Sequence, residues 1–99
     1  RLFDAAPQPG GLLRYGIPDY RLPREALDRD VQRILDLGVE FVSEQRLGRD
    51  IEVTGLLAGG ADAVLLATGA ATSVELPLSG SKEGGPAIVG ALHFLAADP

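Results

Sequence analysis

Glycine and proline crowd the stretch Ala5–Leu22, and this crowding constrains the fold more than any other feature of the sequence. The residues that interrupt regular structure are Pro7, Pro9, Gly10, Gly11, Gly16 and Pro18. Their density predicts a long loop with no regular helix or strand. Loops of this length in a compact domain are usually functional or disordered. Because apolar side chains such as Leu12, Tyr15 and Ile17 run through it, we expect the loop to be ordered against its own domain or a ligand.

The segment after this loop predicts the longest helix of the chain. Pro23 suits the start of a helix, because its missing N–H would have no partner in the first turn. Four apolar residues then follow at helical spacing: Leu27, Val31, Ile34 and Leu35. Arg24 and Asp28 are opposite charges four residues apart, which favours an ion pair on the wet face. Gly38 predicts a left-handed end to the helix.

The remaining apolar segments predict an α/β domain. Val39–Ser43 reads as a strand, and Arg1–Asp4 is compatible with the end of an earlier one. Ala63–Ala67 is an uninterrupted apolar run, as in parallel strands that are covered on both faces. Ile51–Ala58 and Ala87–Ala96 predict two shorter helices. This alternation of strands and helices is typical of a parallel sheet of about three strands.

Composition excludes several classes of function. The 99 residues suffice for one small domain, and a net charge of −5 offers no broad basic surface for nucleic acid or an anionic membrane. No apolar run approaches the roughly 18 residues that suggest a membrane span. With no Cys and one His, the sequence contains no disulfide, thiolate metal site or multi-histidine metal site. We expect His93 to be an ordinary surface residue, and no residue forms a recognisable catalytic pattern.

Three features could contact a nucleotide, although neither GxGxxG nor GxxxxGK[ST] occurs. Asp4, at the end of an early strand, could accept hydrogen bonds from ribose hydroxyls, or it could simply start a turn. Gly10 and Gly11 could let backbone N–H groups approach a pyrophosphate, or they could mark a tight turn. Thr68 and Gly69 follow a predicted parallel strand, at the sheet edge where ligands bind.

Taken in order, these features carry a family resemblance. The block GGLLRYGIPDYRLP (Gly10–Pro23) closely resembles a signature of the glutamate synthase small-subunit family, which includes the flavin half of dihydropyrimidine dehydrogenase. The similarity extends to the segments LFD, LGVEF, LGRDI, AVLLATGA and ALHFL. The resemblance implies an FAD-dependent oxidoreductase that passes electrons from NAD(P)H to iron–sulfur centres or to a partner such as a large glutamate synthase subunit.

The resemblance also implies that residues 1–99 are one partial domain, the middle of an FAD-binding domain. The family's two glycine fingerprints would precede LFD and follow ALHFL, and the missing initiator Met agrees with an excised piece. The fold would then be a partial doubly wound, Rossmann-like parallel sheet with one long and two short helices. Residues 5–22 would face the cofactor, and residues 79–86 would form a flexible loop. NAD(P)H and iron–sulfur clusters would bind elsewhere in a cytoplasmic flavoprotein, and the isolated chain would be inactive and bind FAD weakly or not at all.

The resemblance assigns cofactor contacts residue by residue. Asp4 matches the acid that holds the adenosine ribose, a position usually occupied by Glu. Arg21 matches an FAD-binding arginine, whose forked guanidinium suits a phosphate. The other matched positions are Gly10, Gly11, Leu12, Leu47, Thr68, Gly69 and Ala70. The resemblance assigns no catalytic residue and no metal ligand.

A different class of function remains open beside the enzyme. The half-fold could act as a non-catalytic interaction module, with its acidic surface and an exposed sheet edge meeting a protein partner. Unpaired backbone at such an edge favours association with another chain.

Overall fold

Two short apolar pairs form a parallel sheet. The structure is a computed structural model and describes residues 1–70, 72–74 and 88–97. Strand β1 (Leu2–Phe3) pairs with strand β2 (Phe41–Val42), with Leu2 opposite Phe41 and Phe3 opposite Val42. The predicted strand Val39–Ser43 is therefore confirmed at its centre.

A short helix lies inside the glycine- and proline-rich stretch. Helix α1 (Gly11–Tyr15) follows Gly10 and ends at Gly16, whose N–H donates to the carbonyl of Leu12 at 2.9 Å. The prediction that Ala5–Leu22 contains no regular element is therefore wrong. The glycines lie at the two ends of the helix and do not interrupt it. The segment Leu12–Tyr15 between them is long enough for one helical turn.

The long helix forms where the sequence predicts it. Helix α2 (Arg24–Leu35) has Pro23 as its N-cap, so the helix begins one residue after the proline. Gly38, at φ +92°, lies in the left-handed region just after the helix, as predicted. The apolar stripe of α2 faces β1 and α1, and Leu27 is its buried member.

The charged residues of α2 pair differently from the helical-spacing prediction. Arg24 Nε lies 3.3 Å from Asp19 Oδ1, and the Arg24 N–H donates to the same oxygen at 3.1 Å. Asp28 instead accepts from Arg14 of α1. The predicted Arg24–Asp28 pair is wrong because the preceding loop supplies a carboxylate to the open helix start, where N–H groups lack partners, and α1 supplies the cation.

Two further short helices complete the described elements. Helix α3 (Val53–Ala58) and helix α4 (Ala91–Ala97) both begin later than predicted. Helix α4 packs beside α1 with Leu92 and Leu95 half-buried, whereas His93 is exposed as expected. The predicted first residue of α4, Ala87, and the predicted loop 79–86 lie outside the described residues.

The third predicted strand does not form. Residues 63–67 have no strand pairing, and the side chain of Leu65 is 90% exposed. A strand needs a neighbour for its backbone hydrogen bonds, and this segment pairs with neither β1 nor β2. The described residues thus form a mixed α/β unit with a two-stranded sheet and four helices, one long and three short. The α/β class is confirmed, while the number of strands and the number of short helices were predicted wrongly.

Most apolar side chains of the described segments remain in contact with solvent. Leu27 of α2 is the one buried hydrophobic residue among them, at 6% exposure. The Cα radius of gyration is 17.4 Å, against about 13 Å for a compact domain of this length. No described helix is both long and apolar enough to cross a membrane.

The burial of Leu27 predicts that its truncation is costly. We expect Leu27→Ala to lower the free energy of unfolding by about 2–5 kcal/mol, because it removes buried apolar contact and leaves a cavity. Leu37→Ala is the matched control, since Leu37 is 83% exposed and should change stability by about 0.5 kcal/mol or less. Urea unfolding measures both, and equal losses would contradict the assignment of Leu27 as the centre of packing.

Candidate flavin-binding site

The turn at Gly10 and Gly11 has a backbone conformation that favours glycine, most strongly at Gly10. Gly10 has φ +127°, which L side chains rarely adopt, and Gly11 has φ +50°. A Cβ added at Gly10 would lie 3.2 Å from Arg14 Cβ and 3.2 Å from Leu27 Cδ2. A Cβ at Gly11 would meet open space. Gly10 is therefore held between α1 and α2, whereas Gly11 and the exposed Leu12 face outward.

Asp4 lies at the carboxyl end of β1 and is half-buried. Its Oδ1 accepts the N–H of Ala6 at 2.9 Å, and its carbonyl accepts the N–H of Gln45 at 2.8 Å. The first bond is the local turn that the sequence left open as an alternative. No described residue donates to Oδ2 of Asp4, so that oxygen is available for a further hydrogen bond.

Leu47 lies in a tight turn that follows β2. The N–H of Gly48 donates to the carbonyl of Ile51 at 2.9 Å, and the N–H of Arg46 donates to Asp50 Oδ2 at 2.9 Å. Gln45, just before this turn, bonds to Asp4. The structure thus brings Asp4 and the Leu47 turn together after the carboxyl ends of the two parallel strands, where open α/β sheets bind ligands.

An ion pair stabilises the Leu47 turn. Arg49 Nη2 lies 2.8 Å from Asp50 Oδ2. The hydrogen bond from Arg49, followed by the backbone N–H of Arg46, lowers the pKa of Asp50 below its ordinary range. The same contact raises the pKa of Arg49.

Arg21 is an exposed cation in the loop between α1 and α2. Its backbone N–H donates to the carbonyl of Pro18 at 2.9 Å, which fixes the local turn. Its guanidinium forms no ion pair with a described residue, in contrast to Arg14 and Arg24 on either side. It is therefore free to reach an anionic group from solvent.

The predicted contacts Thr68, Gly69 and Ala70 are not joined to the others by hydrogen bonds among the described residues. All three are exposed, and Gly69 has φ +71°. No hydrogen bond among the described residues joins them to Asp4, Gly10 or the other predicted contacts. The missing strand before them explains this, because sheet pairing would have carried them to the shared carboxyl edge.

An apolar groove of about 440 Å³ opens beside Gly10. Leu2, Leu13 and Leu22 line one part of it, and the apolar stripe of α2 lines another. Asp30 is the one charged residue on its wall, so the groove favours apolar groups over phosphates. Gly10 therefore lies beside an open surface and is not sealed inside a complete core.

Sequence reasoning missed the side chains that hold the glycine turn. Arg14 Nε donates to the carbonyl of Pro9 at 2.7 Å, and Tyr15 Oη bonds to the backbone of Gln8. The available signal was an arginine within the apolar run LLRYGI, since a charge in such a setting needs a partner. The described segments contain no cluster of three potential metal ligands. Chemically, the described arrangement offers exposed backbone at Gly11, a carboxylate oxygen of Asp4 and the guanidinium of Arg21, which are groups suited to hydrogen bonding with a ligand.

Comparisons with known proteins agree with the family resemblance. The beta subunit of the NADP(+)-dependent formate dehydrogenase of Moorella thermoacetica is 37% identical over 95% of this chain and 13% of its own length. The small chain of the Escherichia coli glutamate synthase [NADPH] is 35% identical over 98% of this chain and 20% of its own length. Along most of its own length, the chain is homologous to these NAD(P)H oxidoreductase subunits.

A further relative supports the assignment. A homologue of PreT, the subunit of an NAD-dependent dihydropyrimidine dehydrogenase, from Salmonella typhi is 38% identical over 78% of this chain and 18% of its own length. The chain therefore spans about a fifth or less of the length of these oxidoreductase subunits. No family model matches the sequence.

Gly10 and Gly11 are expected to respond differently to substitution by alanine. We expect Gly10→Ala to lower the free energy of unfolding by about 1–3 kcal/mol, because it strains the backbone and presses Cβ against Arg14 and Leu27. Gly11→Ala should cost only about 1 kcal/mol, because its left-handed backbone is mildly strained and its Cβ enters open space. Urea unfolding of both variants tests this order. A larger loss for Gly11→Ala would contradict it.

The pKa shift of Asp50 predicts a pH-dependent turn. Because its folded pKa is lowered, the Asp50 carboxylate stabilises the turn above the ordinary Asp pKa and loses this effect as the pH falls through the lowered value. An NMR titration should place the Asp50 midpoint below that of an ordinary Asp. Arg49→Gln should raise the midpoint, whereas Arg33→Gln, in a separate ion pair with Asp30, should not. Equal midpoints in all three proteins would contradict the ion pair.

Proposed function

We propose that this chain is the middle part of the FAD-binding domain of an NAD(P)H-dependent oxidoreductase that resembles the glutamate synthase small subunit. Electrons would pass from NAD(P)H through the flavin to iron–sulfur centres or to a partner subunit. The observation that carries the proposal is the turn at Gly10 and Gly11: a backbone conformation suited to glycine, with Gly11 exposed to solvent, in a chain related to such subunits along most of its length.

The residues present fit the adenosine and pyrophosphate part of FAD. Gly10 is a backbone position without room for a side chain, and Gly11 and Leu12 expose the next backbone to solvent. Arg21 presents a guanidinium with no ion pair to a described residue, which suits a phosphate. We assign the ribose to Asp4 Oδ2 and the neighbourhood of the adenine to the backbone of Leu47, whose turn follows Gln45, the residue that bonds to the carbonyl of Asp4.

The role of this chain is to bind and orient the cofactor. FAD, when bound, supplies the hydride-accepting ring and the electron carrier. The backbone at Gly10–Leu12 would hold the pyrophosphate and ribityl chain, and Arg21 would offset the negative charge of the phosphates. Thr68, Gly69 and Ala70 would join the site once a neighbouring strand aligns the segment before them. NAD(P)H and iron–sulfur clusters would be bound by other parts of the protein.

Incomplete burial supports the proposal that the chain acts within a longer protein. Leu27 is the one buried apolar residue in the described part, and the groove beside Gly10 exposes Leu13, Ile34 and other apolar side chains. We propose that the rest of the flavoprotein covers this groove. Alone, the chain would bind FAD weakly and would transfer no electrons.

The non-catalytic interaction module is the second candidate. The apolar groove and the short two-stranded sheet also suit a protein partner. The two candidates differ in cofactor dependence, because the module predicts no FAD binding even in the complete natural protein.

Arg21 tests the FAD assignment directly. In the complete natural protein that contains this chain, Arg21→Ala should weaken FAD binding about tenfold or more, because it removes a charge-assisted contact. Arg29→Ala, which removes another exposed arginine from the middle of α2, should leave the affinity unchanged. Flavin fluorescence titration measures both. Equal affinities would contradict the role of Arg21, and an unmodified protein that binds no FAD would favour the interaction module.

A further inference from the structure

Arg14 differs from the other arginines of the chain in its burial and contacts. Its side chain is only 10% exposed, compared with 72% for Arg33 and 68% for Arg49. Removing a guanidinium from water is costly unless it is paired and hydrogen-bonded. The partners of Arg14 therefore explain why the helix α1 tolerates a cation on its inner side.

Those partners lie on both sides of the glycine turn. Arg14 Nε donates to the carbonyl of Pro9 at 2.7 Å, directly before Gly10. Arg14 Nη2 donates to Asp28 Oδ1 on α2. One side chain thus joins α1, the segment that enters it and the long helix. Charge-assisted bonds of this kind are roughly twice as strong as neutral ones.

The same side chain also occupies the space over Gly10. A Cβ at Gly10 would lie 3.4 Å from Arg14 Nε and 3.2 Å from Arg14 Cβ. Leu27 Cδ2 would lie 3.2 Å from the same added Cβ. Side chains from α1 and from α2 therefore both pack close to Gly10, which limits movement of the turn toward α2.

Three further hydrogen bonds hold the same unit together. Tyr15 Oη bonds to the backbone N and O of Gln8 at 3.3 and 3.4 Å. Arg24 Nη1 donates to the carbonyl of Leu13 at 3.1 Å. These bonds hold Gln8, before the glycine turn, and Leu13, after it. Arg14 differs because its one side chain bonds both to Pro9, directly before Gly10, and to Asp28 on α2.

We propose that Arg14 is a positioning residue for the cofactor-binding segment Gly10–Leu12. It acts through the Pro9 carbonyl and Asp28 and does not touch the cofactor. Lysine cannot replace it, because an ammonium lacks the fork that reaches both acceptors in fixed geometry. This inference rests on the proposed function, because the position of Gly10 affects cofactor binding only if the segment Gly10–Leu12 binds FAD.

The first test needs no cofactor. The N–H of Leu13 donates to the carbonyl of Gly10 at 3.0 Å, so its hydrogen exchange reports where Gly10 lies. In the complete natural protein without FAD, Arg14→Lys and Arg14→Gln should both speed Leu13 exchange about tenfold. Arg33→Gln, which removes an exposed ion pair from α2, should not change it. Unchanged exchange in both Arg14 variants would overturn the proposal.

The second test measures FAD affinity by flavin fluorescence. Arg14→Lys and Asp28→Asn should each weaken binding about tenfold, whereas Asp28→Glu, which keeps the carboxylate, should restore most of the affinity. This rescue separates positioning from a general loss of stability. If Arg14→Gln fails to fold, Arg14→Lys and the Asp28 variants still decide the outcome.

The outcomes distinguish this inference from the proposed function. Wild-type FAD binding with unchanged affinity in the Arg14 and Asp28 variants would overturn the positioning role and leave the proposed function intact. A wild-type protein that binds no FAD would overturn both. Weakened binding together with faster Leu13 exchange would support both.

Discussion

The contact between the Gly10 turn and helix α2 is the constraint on which the rest of the structure depends. Gly10 packs close to Arg14 and Leu27. A Cβ placed on Gly10 would lie 3.2 Å from Arg14 Cβ and 3.2 Å from Leu27 Cδ2. Leu27 is also the one buried hydrophobic residue of the described segments. The same few atoms therefore hold α1 on α2 and set the conformation of the segment that we assign to the cofactor. Stability and placement of the site are coupled at this point.

Beyond this contact, the described residues form little core of their own. Leu13 and Ile34 of the groove beside Gly10 are about half exposed. Apolar surface of this extent is unfavourable in water, since burial contributes about 25 cal/mol per Å². The chain also spans only 13–20% of the length of the formate dehydrogenase and glutamate synthase subunits that it resembles. Both observations support our proposal that other parts of a longer polypeptide cover the groove beside Gly10.

Elements with strong local signals were predicted well. The stripe of α2, Gly38 after it and the centre of β2 follow from residue spacing and backbone preference, which act over a few neighbours. Helix α1 was missed because breakers dominate the surrounding composition, although they lie at its ends. The strand at Ala63–Ala67 was wrongly predicted because an apolar run specifies burial without specifying a hydrogen-bonding neighbour. The roles of Asp4, Arg21 and Leu47 stay proposals, and only their placement is now described.

The sequence by itself determined the α/β class, the long helix, the positions that favour glycine and the resemblance to NAD(P)H oxidoreductase subunits. Each of these depends on the identity or spacing of nearby residues. Only the tertiary structure decided that Arg14 pairs with Asp28, that Asp19 serves the start of α2, and that Asp4 lies beside the Leu47 turn. These choices join residues that are distant in sequence. Their partners are selected by how the elements pack, and no local preference carries that information.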